Sequence, residues 1–264
     1  MIKQDSNHDL LHCEICGFPK EMWLKRPDGQ MRRVHIPCDC ESKKRRHIKE
    51  AQEKKEHLRQ VHLLRKKAFP GSLYQTYTFA NATENNSIIE KAKLYVKNFP
   101  ELEAKGMGLV FWGGIGTGKT FAAGCIANAL IDQEISCHMT SLPRIFQYMN
   151  SSSFEQKGEY MNKLNKCRLL IIDDLGTERN TEYSMELIYS IIDDRYVNRK
   201  PMIVTTNLSL TELNNPTDRV HDRVFSRILN MCAPVKVDEK NLRKENTSVR
   251  FQTVKHLLQQ EQSV

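Results

Sequence analysis

The chain has 264 residues, 39% of them hydrophobic and 27% charged, with a formal net charge of +8. That length leaves room for one full α/β domain and a small appendage; the longest aliphatic run near the middle, Leu169 to Ile172, ends in two aspartates, so no membrane span and a cytoplasmic location are expected. A uniformly basic DNA-coating domain is excluded because the charge is local: between Glu41 and Lys67 eleven Lys or Arg stand against four Glu, a local +7, and the remainder is nearly neutral.

In chain order, residues 1–40 form a cysteine-bearing module. Cys13 and Cys16 are two residues apart, and Cys38 and Cys40 close a second pair with one residue between, after a loop carrying Pro27, Gly29 and Pro37. Four thiolates can enclose a tetrahedral structural zinc, and His35 or His12 could replace one of them. The module is too small for a proper apolar core, which favours a metal staple. The other four cysteines, Cys125, Cys137, Cys167 and Cys232, are scattered at apolar or helical positions and are expected to be reduced thiols.

Residues 41–69 read as a basic helical linker. Ile48, Ala51, Leu58, Val61 and Ala68 recur at intervals of three and seven, a broken heptad stripe that could dock a partner helix or lie against its own zinc module. Its charge could face nucleic acid, an acidic protein surface or solvent. Phe69-Pro70-Gly71 should end the helix, since Pro70 removes an N–H and Gly71 favours a turn.

From 70 to 264 the pattern is that of one α/β domain. Apolar runs at 109–112, 135–139, 168–173, 201–206 and 234–238 alternate with helical patterns, which predicts a parallel sheet covered by helices on both faces. Right-handed crossovers then bring the C-terminal ends of the strands, and the motifs after them, to one edge.

The first motif is the octamer Gly113-Gly114-Ile115-Gly116-Thr117-Gly118-Lys119-Thr120, a phosphate-binding loop pattern. Leu109 to Trp112 reads as the strand feeding it and Phe121 to Ile131 as the helix leaving it. Backbone N–H groups and the positive helix end would cradle the β-phosphate of ATP. Lys119 would bridge the β- and γ-phosphates and the Thr120 hydroxyl would ligate Mg²⁺. The second motif is the aliphatic strand before Asp173 and Asp174; Asp173 would hold Mg²⁺ and Asp174 would polarise the attacking water. A third strand ends in Thr205-Thr206-Asn207, where Asn207 could orient that water or simply begin a turn. Arg223 and Arg227 lie four apart, hence on one helix face, from which one could reach a neighbouring subunit's γ-phosphate. Arg243 is a further candidate for phosphate contact within the same subunit.

The order of Gly-Gly-Ile-Gly-Thr-Gly-Lys-Thr, Ile-Ile-Asp-Asp-Leu-Gly-Thr-Glu, Ile-Ile-Asp-Asp-Arg-Tyr, Val-Thr-Thr-Asn-Leu and Asp-Arg-Val-Phe-Ser-Arg-Ile resembles the AAA+ ATPases. More specifically it is similar to bacterial replicative-helicase loaders of the DnaC/DnaI type, over most of residues 70 to 245. The resemblance implies Asp173 as the metal acid, Asp174 as the catalytic acid, Asn207 as sensor 1, Arg227 as the arginine finger with Arg223 as fallback, and Arg243 as sensor 2. Many AAA+ proteins carry Glu where this chain has Asp174, and the shorter acid implies slow, partner-stimulated hydrolysis. The resemblance also implies that the helices between Ser141 and Lys166 touch single-stranded DNA, where Arg144, Phe146, Tyr148, Lys157, Tyr160 and Lys163 mix cations with aromatics. It implies that the zinc module and basic helix grip a hexameric DnaB-type helicase and that the ATPase domain assembles with copies of itself.

Three rival readings share parts of this pattern. A transposition-helper ATPase of the IstB type would use the same nucleotide machinery on duplex DNA and a transposase; the zinc module argues against it. A P-loop kinase is disfavoured by Thr205-Thr206-Asn207 and the two arginines. A nucleotide-gated adaptor with negligible hydrolysis is compatible with Asp174.

Overall fold

The computed structural model describes residues 10–69, 71–82, 86–176, 182–216, 218–238 and 251. It divides into two compact units, Met1–Arg59 and Gln60–Val264.

In the first unit, β1 (Glu21–Lys25) and β2 (Met31–His35) pair antiparallel, with Met22 opposite Val34 and Trp23 opposite Arg33. The hairpin is not foreseen by the sequence pattern. It is followed by α1 (Asp39–Ala68), which begins in the first unit and ends in the second. Asp39 and Glu41 in its first turn and Arg65, Lys66 and Lys67 in its last complement the helix dipole. Pairs such as Arg45 with Glu41 and Lys49 with Glu53 lace its solvated surface. The broken heptad stripe is not one seam: Ile48 and Leu58 are exposed, whereas Val61 and Ala68 are buried in the core of the second unit.

The second unit opens with two 3₁₀ turns, Ser72–Thr76 and Phe79–Asn81. Two helices follow, α2 (Ser87–Lys97) and α3 (Phe99–Ala104). Then strands and helices alternate: β3 (Gly108–Gly113), α4 (Lys119–Ile131), β4 (Cys137–Ser141), α5 (Leu142–Ser151), α6 (Phe154–Lys166), β5 (Leu169–Leu175), α7 (Glu182–Val197), β6 (Met202–Thr206), α8 (Leu210–Asn214), α9 (Arg219–Met231) and β7 (Cys232–Val237). The five strands β3 to β7 form one sheet in the order β4-β5-β6-β3-β7, parallel throughout. This is the AAA+ α/β architecture that the sequence predicts.

Burial on both faces explains the unbroken aliphatic strands. Alternate residues go to opposite sides: Phe111, Leu169, Ile171 and Ile203 join one core layer with α2 and α4, while Val110, Leu170, Ile172 and Val204 join another with α5, α7 and α9. Helix α4 is buried almost all round, and its small residues Ala122, Ala123, Gly124 and Ala127 let neighbouring segments pack close against it. Between β5 and β6 the register shifts: Ile172 faces Val204 and Leu175 faces Thr206, so Asp173 and Asp174 together oppose Thr205. Asp174 absorbs this bulge with a left-handed φ of 57°.

Candidate functional site

The parallel order puts the C-terminal ends of β3, β5 and β6 side by side, and the loop 113–118 leaves β3 there. Gly113 has φ 138°, and a Cβ on it would lie 2.4 Å from the Val237 carbonyl oxygen, so only glycine fits where the loop leaves the sheet. Gly118 caps α4 without a side-chain hydrogen bond, leaving the helix N-terminus to the loop. Thr117 Oγ1 donates to the Gly114 carbonyl at 2.9 Å and pins the loop's turn. Gly114 and Ile115 are exposed at its tip.

The first two residues of α4 reach the ends of two strands. Lys119, 5% exposed, donates from Nζ to the carbonyls of Gly113 (2.8 Å) and Gly114 (2.6 Å) and to Asn207 Oδ1 (2.9 Å), just beyond β6. Thr120 Oγ1 donates to Asp173 Oδ1 at 2.9 Å. Asp173, 7% exposed, accepts a second hydrogen bond on the same oxygen from Thr205 Oγ1 at 2.6 Å. The Thr205 hydroxyl in turn accepts from the Asp174 backbone N–H at 2.9 Å. Two hydroxyls on one oxygen fix the orientation of this buried carboxylate, as a cation ligand requires. The residues that end the loop, the Asp173 carboxylate and the Asn207 amide therefore lie at one edge of the sheet. Thr205 is the residue that sequence reasoning passed over; its signal is a buried threonine on a central strand, where a valine would pack equally well.

The other predicted residues lie apart from this cluster. Arg227 makes an ion pair with Asp193 at 2.8 Å, and its guanidinium lies 4.4 Å from the Tyr189 ring and 5.7 Å from that of Tyr196. Arg223 is exposed, one turn earlier, and lines an open groove of about 290 Å³ with Asp222, Ser226 and Asn230. Arg243 lies outside the described residues. On α5 and α6, Tyr148 stacks on Tyr160 at 4.3 Å, Tyr160 OH lies 3.3 Å from Thr140 Oγ1, and Phe146 packs into the core. Arg144 is exposed four residues before the exposed Tyr148 and so lies on the same face of α5.

In the first unit the sulfurs of Cys13, Cys16, Cys38 and Cys40 all lie within 4.8 Å of one another. A tetrahedral zinc with Zn–S of about 2.3 Å needs sulfurs about 3.8 Å apart, so the four fit such an ion. The backbone N–H groups of Cys16 and Ile15 hold the Cys13 thiol down at about 7, while burial and the neighbouring Cys13 push Cys16 and Cys38 up, as expected where thiolates crowd one another. His35 Nε2 is engaged 3.1 Å from Glu41 Oε2, and His12 forms an isolated backbone bridge with Pro19; neither belongs to the cluster.

A family model described as IstB-like ATP binding protein matches residues 44–250. The chain belongs to that family. Among curated relatives, the replicative helicase loader DnaI of Bacillus subtilis (strain 168) is 29% identical over 160 residues, covering 56% of this chain and 51% of that protein. The replicative helicase loader DnaC of Escherichia coli (strain K12) is 28% identical over 165 residues, 59% of this chain and 64% of that one. The match thus spans less than two thirds of either relative. A crystal structure of DnaI superposes with a TM-score of 0.57 at 21% identity, over 67% of this chain and 98% of that one. One of the DnaC helicase loader gives 0.54 at 25% identity, over 64% and 100%. The family is ATP-binding, and the match covers the nucleotide loop, the carboxylate strand and Asn207. The cysteine cluster lies before it. Among the described residues no helix is long and apolar enough to cross a membrane.

Proposed function

We propose that this chain is an ATP-dependent loader that binds a hexameric DnaB-type replicative helicase and helps place it on single-stranded DNA. The observation that carries the nucleotide half is the buried linkage of Thr120, Asp173, Thr205 and the Asp174 N–H, joined to Lys119 and Asn207. The likeness to proteins named helicase loaders supports the rest.

In this reading residues 113–120 wrap the triphosphate of ATP, with Lys119 on the β- and γ-phosphates. Thr120 and Asp173 would hold Mg²⁺, which when bound neutralises phosphate charge. Asp174 takes the proton of the attacking water and Asn207 orients that water. Arg227, with Arg223 as the alternative, reaches the γ-phosphate of a neighbouring copy, and Arg243 contacts phosphate within its own subunit. Cys13, Cys16, Cys38 and Cys40 would hold a structural zinc in the part that grips the helicase. Arg144, Tyr148, Lys157, Tyr160 and Lys163 contact the single strand through phosphate charge and base stacking. Hydrolysis is slow and stimulated by partners.

The test is size-exclusion chromatography with mass detection of the chain mixed with a DnaB-type helicase, with and without ATP. A nucleotide-dependent complex that Lys119→Ala abolishes is expected. Absence of any complex, together with ATP-dependent binding to duplex DNA, would replace the loader with a transposition helper. Unchanged ATP affinity in Lys119→Ala would overturn the site itself.

A further inference from the structure

One buried amide ties three chain segments together on α4, the helix that starts at Lys119. Asn128 sits on α4, whose first residue is Lys119, and is 2% exposed. Its Nδ2 donates to the carbonyls of Tyr74 and Tyr77, both at 2.9 Å, and of Gly124 at 3.1 Å. Its Oδ1 accepts from Arg65 Nε on α1 at 3.2 Å. One side chain thus ties three segments: the end of α1, the 3₁₀ segment after it, and the helix that carries the phosphate loop.

Each of these ties is reinforced. Arg65 also pairs with Asp132, one turn further along α4. Gly124 has no Cβ because the Tyr77 ring lies 2.7 Å from where one would be, so the 3₁₀ segment lies directly against α4. Tyr77 packs on Phe121, two residues after Lys119. The Tyr74 phenol is raised above its ordinary value by burial first and then by the Asp173 carboxylate, so this segment lies within the field of the metal acid. The α1 end is held too: Val61 and Ala68 are buried in the same core layer, and His138 Nδ1 bonds the Lys67 carbonyl at 3.2 Å.

We infer that Asn128 is a positioning residue for the nucleotide loop and that Arg65 is the group through which α1 acts on it. Arg65, Asn128 and Asp132 all belong to the second unit, so the end of α1 that lies in that unit is what acts on α4. The inference rests on the nucleotide reading of the loop only for its kinetic consequence; the mechanical part stands on the contacts alone.

The experiment compares full-length wild type, Arg65→Ala, Arg65→Lys and Asp132→Asn by hydrogen exchange of the 113–124 backbone without nucleotide, and by KM and kcat for ATP. Arg65→Ala should speed exchange across 113–124 and raise KM, each by roughly fivefold or more, with kcat changing less. Asp132→Asn removes the ion pair and leaves the Arg65 to Asn128 bond, so it should do neither; Arg65→Lys, which keeps a donor and the charge, should recover part of the effect. Faster exchange confined to 60–69, with 113–124 unchanged, would make Arg65 a mere anchor of α1 and overturn the inference. If wild type neither binds nor hydrolyses ATP, the nucleotide reading falls, and the exchange measurement still decides whether the joint exists.

Discussion

The hydroxyl of Thr205 does two jobs at once, donating to Asp173 and accepting from the Asp174 N–H. Thr205→Val keeps the branched shape and removes both bonds, leaving a buried carboxylate short of one donor. A loss of about 1–3 kcal/mol is expected, visible as a melting temperature lower by about 2–4 °C per kcal/mol. ATP turnover should fall at least tenfold, because the metal acid loses its fixed orientation; unchanged turnover would show that Thr120 alone suffices. The two arginines of α9 separate by a different criterion. Arg227 is half-buried in an ion pair with Asp193 and over two tyrosines, so Arg227→Ala should cost about 1–2 kcal/mol even in an isolated chain. Exposed Arg223 should cost nothing in melting temperature when changed to Ala. If Arg227 acts on a neighbour's phosphate, Arg227→Ala subunits should also poison hydrolysis when doped into wild type; Arg223→Ala poisoning instead would transfer the role.

At the scale of elements, the hairpin of β1 and β2 poses a problem of cohesion. Among the described residues up to Arg59, the buried apolar side chains are Cys13 and Cys38 alone. Among those described residues no hydrophobic core forms, and a metal on the four sulfurs would supply the missing cohesion. One zinc per chain is expected by metal analysis. Its removal by a chelator should abolish helicase binding and leave the ATP affinity of the second unit; a metal-free chain that still binds helicase would refute the assignment. The junction of α1 with β4 carries a pH dependence. The Lys67 carbonyl can only accept, so His138 Nδ1 carries a proton; burial first, and Lys163 nearby, pull the ring from 6.5 to about 4, which leaves it neutral above that value. The unfolded chain therefore binds more protons than the folded one between these values, and stability falls as pH drops from 6.5 toward 4, by roughly 3 kcal/mol in all. A melting curve of His138→Asn should be flatter over that window than wild type. The inner strands of the sheet were legible in the sequence because burial on both faces leaves an apolar run such as Leu169 to Ile172. The phosphate loop was legible because its backbone demands glycines at fixed spacing. The bulge at Asp173 and Asp174 was not, since a left-handed aspartate has no compositional mark. Nor was the hairpin, because its strands lack the alternation that a packed sheet face imposes. Arg65 and Asn128 were invisible for another reason: their meaning is a long-range contact, and each reads locally as an ordinary helical residue.

For the whole molecule, the ATP-binding unit accounts for the family match, while the cysteine-bearing unit accounts for little of it. The basic charge of residues 41–67 sits on a helix whose first five turns are solvated. The boundary between units falls at Arg59 and Gln60, where no proline or glycine marks it. A protease reads this differently from a sequence alignment. Trypsin should find its targets among the exposed lysines and arginines between Lys43 and Arg59, and stop where Val61 and Ala68 enter the core. The fragment that survives should begin near Gln60, ten residues before Pro70, at which the sequence pattern suggests a division. A gene truncated at Pro70 instead would strip Val61, Arg65 and Ala68 from the ATP-binding unit and should yield an insoluble product. The safest place to divide this protein is inside helix α1, between Arg59 and Gln60.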